Sequence, residues 1–272
     1  QRGLQVIPLK TATLPPATHT NAYLLGTGDL VLVDPGSGDA EELRELMERL
    51  RHREAEGCRL RAIALTHHHG DHIGGLAPLV QTLGVPVWAH PRTADRLPVA
   101  VQRLLHDEET FTLDGPLPMT FEVLHTPGHA QGHVCFVEQR SRAAIVGDMV
   151  AGVGTIVIDP PEGDMGEYLR QLQRLKTRIG SLWPAHGPII ADGVAKLDEY
   201  LTHRAWRESK VIAALEAHPT GVAVETLVPH VYDDVSEFVW PLAERNTVAI
   251  LGKLVAEGRV QQTGALFQLT RR

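Results

Sequence analysis

Hydrophobic positions fall into short, closely spaced blocks over the first two thirds of the chain and into longer helical stripes after them. Residues 4–9, 21–25 and 30–33 read as strands, and Gly26-Thr27-Gly28-Asp29 supplies the glycines for a tight hairpin between the last two. After Asp34-Pro35-Gly36, Asp39 with Glu42 three residues on has the form of a capping box. It opens a helix to about residue 56, with Leu43, Leu46 and Leu50 as the buried stripe and Gly57 as the stop. The run 60–65, apolar apart from Arg61 and bounded by a helix and by Thr66, reads as a short buried strand. A helix over 73–83 and a strand over 85–89 follow, then a charged, partly helical excursion over 92–109. Short strands are predicted near 111–113, 120–124, 134–138, 143–146 and 155–158, with a helix over 164–179. This order suggests two strand-rich halves, each covered by helices.

Beyond Gly193 the texture changes. Helical patterns span 194–217, 224–232 and 241–257, and a ribbon then runs from Val260, turns at Thr263-Gly264 and returns to Leu269. Three helices and a two-stranded ribbon make a winged-helix layout, one form of helix-turn-helix. The expected division is therefore a domain over 1–194 and a small winged-helix-like domain over 195–272, joined without a flexible linker.

Composition narrows the classes. The apolar share of 43% suits a globular core, and a net charge of -7 argues against binding nucleic acid or membrane surfaces by charge alone. Cys58 and Cys135 share no metal or redox spacing and read as inert thiols, which fits a reducing cytoplasm. No signal peptide is visible, and the longest apolar run, 143–158, contains Asp148 and is too short for a membrane span. Histidine is the excess: there are 15, several of them clustered.

The cluster is Thr66-His67-His68-His69-Gly70-Asp71-His72, directly after a buried strand and before a helix. Zinc takes imidazole nitrogen and carboxylate oxygen. His67 and His69, two apart on an extended strand end, point to one side, while Asp71 and His72 lie across the turn where a second ion could sit. His129, Asp148 and His186 stand on glycine- or proline-bearing loops after other strands, as a site at one sheet edge requires.

With these motifs in order, the sequence resembles the metallo-β-lactamase superfamily in its H-x-H-x-D-H form over residues 1 to about 192. The resemblance implies an α/β fold, the αββα sandwich, and a centre of two metal ions, expected to be zinc, with iron and manganese accepting the same ligands. It implies that His67, His69 and His129 hold the first ion, that Asp71, His72 and His186 hold the second, and that Asp148 bridges them. His68 fills the variable position of the motif. His133 is expected to support the site rather than ligate, and Asn21 with Tyr23, an Asn-x-Tyr pattern of the family, to form sheet core or pocket floor. His203-Arg204, Arg207-Glu208 and 242–246 resemble the lactamase-like protein 2 subgroup, which carries a C-terminal winged helix.

Chemistry common to such a centre is attack by a metal-bridging hydroxide, with Asp71 as the catalytic group that orients it and shuttles a proton. The expected reaction is hydrolysis of a (thio)ester or related acyl bond on a small-molecule or carrier-bound substrate. The alternative is endonucleolytic cleavage of single-stranded RNA, with β-lactam or lactone hydrolysis as a side activity. From Gly193 onward nine basic residues face ten acidic ones, which disfavours RNA as a partner of the winged helix. A non-enzymatic binding or assembly module, in which the winged helix mediates homodimerisation or docks a partner, is the remaining class.

Overall fold

The computed structural model describes residues 2–270. Its elements in chain order are β1 (Leu4–Lys10), β2 (His19–Leu25), β3 (Asp29–Val33), α1 (Ala40–Ala55), β4 (Arg59–Ala64), α2 (Gly70–Ile73), α3 (Leu76–Leu83), β5 (Val87–Ala89), α4 (Pro91–Ala94) and β6 (Arg103–Leu104). They continue as β7 (Thr110–Leu113), β8 (Met119–His125), β9 (Val134–Glu138), β10 (Ala143–Gly147), α5 (Met165–Lys176) and β11 (Ser181–Pro184). The rest is α6 (Gly193–Glu216), α7 (Val224–Val231), a 3-10 turn (Glu237–Val239), α8 (Trp240–Ala256), β12 (Val260–Thr263) and β13 (Leu266–Leu269).

The chain divides into two compact units. The first comprises Gln1–Thr126, Ala130–Thr155 and Lys176–Val194, and the second Pro127–His129, Ile156–Leu175 and Ala195–Arg272. In the first unit, one six-stranded sheet has the order β1-β2-β3-β4-β5-β6 and one five-stranded sheet the order β11-β10-β9-β8-β7. Strands β3 to β6 run parallel, and β10 and β11 form the parallel pair of the other sheet.

Strand periodicity explains the layering. Tyr23, Leu25, Val31, Val33, Ala62 and Ala64 share one core with Phe121, Phe136 and Ile145 of the second sheet. Their alternate neighbours Leu24, Leu30, Leu32, Ile63 and Leu65 pack instead with Leu46 and Leu50 of α1 and Leu76 and Leu79 of α3. Successive side chains point to opposite faces, so a strand covered on both faces is apolar throughout. Asp39 caps α1 by accepting from the backbone of Glu41 and Glu42. The box is only half formed, because the Glu42 carboxylate takes the backbone N–H of Lys10.

Two expectations are corrected and one, the partly helical excursion, is made specific. The helix over 73–83 is two pieces, α2 and α3, interrupted at Gly74-Gly75. The excursion over 92–109 holds one turn of helix and the short strand β6. Residues 155–158 are not a strand, because their backbone groups are taken by side chains of the second unit.

In the second unit, α6, α7, α8 and the antiparallel ribbon β12–β13 gather with α5. Buried Arg207 on α6 forks onto both carboxylate oxygens of Asp234 and onto the carbonyl of Val231. Glu208 accepts from Lys253 and Arg259. Among the described residues no helix is long and apolar enough to cross a membrane.

Candidate metal centre

Three strands of the first unit end at the site. β4 runs into Thr66 and His67, β10 into Asp148, and β11 into His186. Chain direction makes this an edge where backbone leaves the sheets and polar side chains are free to converge. His67 and His72 are fully buried, and Asp148 and His186 nearly so. His67, His72 and Asp148 bring ligand atoms within 4.8 Å of one another, and so do Asp71, His72 and His186. His186 Nε2 stands 3.3 Å from Asp148 Oδ1 and 3.5 Å from Asp71 Oδ2, while His67 Nε2 faces His69 Nδ1 at 3.0 Å. The first unit thus assembles six of the seven predicted residues. The seventh, His129, follows β8 on the Pro127–His129 segment of the second unit, where its Nδ1 donates to the carbonyl of Val157 at 2.9 Å.

Around these residues lies a layer that fixes ring orientation. Asp34, at the end of β3, accepts from the backbone N–H of Thr66, from Thr66 Oγ1 and from His72 Nδ1 at 2.9 Å. Asp34 is not among the residues that the sequence motifs single out. Its signal was a carboxylate directly after a fully apolar strand. His133 is buried, and its Nε2 accepts the backbone N–H of Asp148 at 3.1 Å. That nitrogen is therefore unprotonated, and Nδ1 carries the proton donated to Thr126 Oγ1. With both nitrogens committed, His133 supports the site rather than entering it. Asn21 donates to the carbonyls of Pro184 and Gly187, and Tyr23 to that of Pro184, so the pair holds the loop that carries His186. His186 Nδ1 in turn donates to the carbonyl of His19.

Gly147 permits the close approach of Asp148. Its φ is +45°, and a Cβ there would lie 2.6 Å from His133 Nε2 and 2.8 Å from Thr66 Oγ1. No side chain fits between those groups.

The residues present fit a divalent metal cation. His72 Nε2 is buried and makes no hydrogen bond among the described residues, and it stands 3.5 Å from Asp148 Oδ1. A buried imidazole nitrogen left in that state costs free energy that a bound cation would remove. Burial disfavours the charged ring of His72, yet the carboxylates of Asp148 and Asp34 outweigh it and raise its pKa well above the ordinary histidine value. At His186 burial acts the same way and is outweighed by Asp148. The same carboxylates would favour a bound cation in place of those protons. Imidazole and carboxylate donors suit zinc, iron and manganese.

Comparison with known proteins supports the same identification. The model of the metallo-beta-lactamase superfamily matches residues 15–207, and that of the beta-lactamase associated winged helix domain matches residues 223–268. The lactamase-like protein adaB of Aspergillus niger is 36% identical over 203 residues, which is 72% of this chain and 59% of that protein. The chain therefore spans about three fifths of the length of that relative. A beta-lactamase-like protein 2 homolog of Caenorhabditis elegans is 32% identical over 253 residues, covering 89% of this chain and 80% of its own. Also 32% identical, over 259 residues, is the atrochrysone carboxyl ACP thioesterase of Aspergillus fumigatus, with 89% of this chain and 58% of that protein covered. Among solved structures, the metallo-beta-lactamase family protein TTHA1429 of Thermus thermophilus superposes with a TM-score of 0.80 over 99% of both chains at 24% identity. TTHA1623 in a di-iron-bound form gives 0.54 at 32% identity, covering 69% of this chain and 97% of its own. The αββα fold, the convergent histidine and aspartate cluster and these matches together place the chain in the metallo-β-lactamase superfamily, with a β-lactamase-associated winged helix over residues 223–268.

Proposed function

We propose that the chain hydrolyses an acyl bond, of thioester or ester type, at a centre of two zinc ions. His67, His69 and His129 hold one ion, Asp71, His72 and His186 hold the other, and Asp148 serves both. The observation that carries this reading is the convergence of His67, His72, Asp148, Asp71 and His186 at the carboxyl ends of β4, β10 and β11. When bound, the ions supply Lewis-acid polarisation of the scissile group and a lowered pKa for water.

The chain's own residues do the rest. Asp34 and the carbonyl of His19 fix the rings of His72 and His186 through their Nδ1 protons, which leaves each Nε2 directed to the centre. Asp71 is the most solvent-open of the carboxylates in this cluster, with a side chain 17% exposed against 10% for Asp148. It can take a proton from the attacking water and deliver it to the departing sulfur or oxygen, so the acyl carbon gains OH and the leaving group gains H. The thioesterase relative supports an acyl substrate, including one bound to a carrier. The relative in di-iron form makes iron the metal to test beside zinc.

The test is a panel of acyl thioesters, esters, lactones, β-lactams and single-stranded RNA, assayed on protein of verified metal content. Acyl turnover that disappears in Asp71→Ala is the expected result. Cleavage of RNA with no acyl turnover would overturn it.

A further inference from the structure

The winged-helix motifs singled out in the sequence have an unexpected target. Asn246 of α8 is buried, and its Oδ1 accepts from the backbone N–H of Ile158 at 3.0 Å and from Arg204 Nη1 at 3.2 Å. Arg204 of α6 is also buried, and its Nη2 donates to the carbonyl of Ile156 at 2.5 Å. Two side chains thus grip the backbone on either side of Val157. The carbonyl of Val157 is the acceptor for His129 Nδ1. Gly128, one residue before, has a φ of +134°, and a Cβ there would meet the backbone of Tyr168 at 2.4 Å. The segment that carries His129 is therefore seated on the start of α5, and its ring is aimed by Val157.

Arg204 makes no ion pair among the described residues; its charge faces the Tyr168 ring at 5.4 Å and neutral oxygens. Its helix neighbour Arg207 is paired with Asp234. Burying an unpaired guanidinium is costly, and a hydrophobic residue would pack the same space more cheaply. What the guanidinium adds is a fixed, planar set of donors that holds Ile156 and Asn246 in one arrangement.

We infer that Asn246 and Arg204 are positioning residues for the metal centre: through Ile156 and Ile158 they fix the Val157 carbonyl, which sets the tautomer and orientation of His129. Within the second unit, a side chain of the winged helix thus helps to aim His129. This rests on His129 being a metal ligand, and the experiment separates the two claims.

Full-length protein is reconstituted with cobalt(II), and both the visible spectrum and the affinity under chelator competition are read. His129→Ala tests the ligand itself and should lose one ion. Asn246→Leu removes the acceptor at similar volume; it should weaken one ion about tenfold, the lower end for groups that orient a metal-bound histidine, and shift the cobalt bands. Asn246→Asp keeps the Oδ acceptor and should restore both. Arg207→Met removes the other buried arginine of α6 and serves as the control, lowering the melting temperature while leaving the cobalt spectrum as in the parent. Should Asn246→Leu not fold, Arg204→Lys, which loses the planar fork but keeps the charge, should move the spectrum in the same direction. If His129→Ala loses an ion while Asn246→Leu, or Arg204→Lys in its place, binds cobalt as the parent does, the positioning inference is wrong. It is equally wrong if Arg207→Met shifts the spectrum as much. If His129→Ala keeps both ions, the ligand assignment and the inference fall together.

Discussion

Asp34 Oδ2 accepts the Nδ1 proton of His72 at 2.9 Å, with both side chains buried. The same carboxylate takes the backbone N–H and the hydroxyl of Thr66, so the end of β3 holds the ends of β4 and α2 in one network. A carboxylate in that position raises the basicity of the imidazole and fixes which nitrogen faces the metal. Asp34→Asn retains the shape and loses the charge. The expected result is about 10- to 100-fold weaker binding of one ion, the usual cost of removing such a partner. Competition with a chelator measures it, and unchanged affinity would remove Asp34 from the site.

Metal content follows from the assignment of seven ligands in two sets that share Asp148. Elemental analysis should find close to two ions per chain in the parent and close to one in His186→Ala. His67→Ala should abolish turnover. A fully loaded parent with a single ion would refute the dinuclear assignment.

Acid stability should depend on His90. Burial, with the nearby His125, His106 and Arg92, lowers its pKa to about 4. Its ring stacks on His125 at 4.0 Å, and its Nδ1 accepts the backbone N–H of Arg92 at the start of α4. A histidine whose folded pKa is depressed contributes stability that is present above its unfolded pKa of about 6.5 and is lost as pH falls toward the folded value. Melting temperature should therefore decline between about pH 6.5 and 4. His90→Asn, which keeps an acceptor for the cap and does not titrate, should decline less over the same window. Parallel curves for the two proteins would show that His90 contributes nothing there.

Gly147→Ala places a methyl group against His133 and Thr66 in a left-handed backbone conformation. Strain at such a position costs about 1–2 kcal/mol, and the clash adds to it. Chemical denaturation should report a loss of at least about 2 kcal/mol, together with reduced metal content because the Asp148 N–H to His133 bond is displaced. A stable variant with the parent's metal content would show that the loop yields more easily than its packing implies.

Much of the framework was legible because it depends on neighbours in sequence. The apolar run at 60–65, the hairpin glycines before Asp29, the Asp39 cap and the ribbon turning at Thr263-Gly264 each follow from local periodicity or turn chemistry. Residues 155–158 show the limit: four residues of strand-like composition form no ladder, because whether a strand forms depends on a partner edge. Here side chains of Asn246, Arg204 and His129 supply the hydrogen bonds instead. The break at Gly74-Gly75 and the half-formed capping box likewise reflect groups that are distant in sequence and adjacent in space.

By itself, the sequence determined which residue types were available for metal chemistry and at which strand ends they stand: His67, His69, Asp71 and His72 after β4, Asp148 after β10, His186 after β11. Spacing of two and four residues at a strand-to-helix turn is a local property, and it survives any arrangement of the rest. Only the tertiary structure decided that Asp34 orients His72, that His133 holds the backbone of Asp148, and that Asn246 and Arg204 grip the segment behind His129. These partners are 38, 15 and, for Asn246 and Ile158, 88 residues apart. No periodicity extends over such separations, so they are fixed by how the sheets and helices pack.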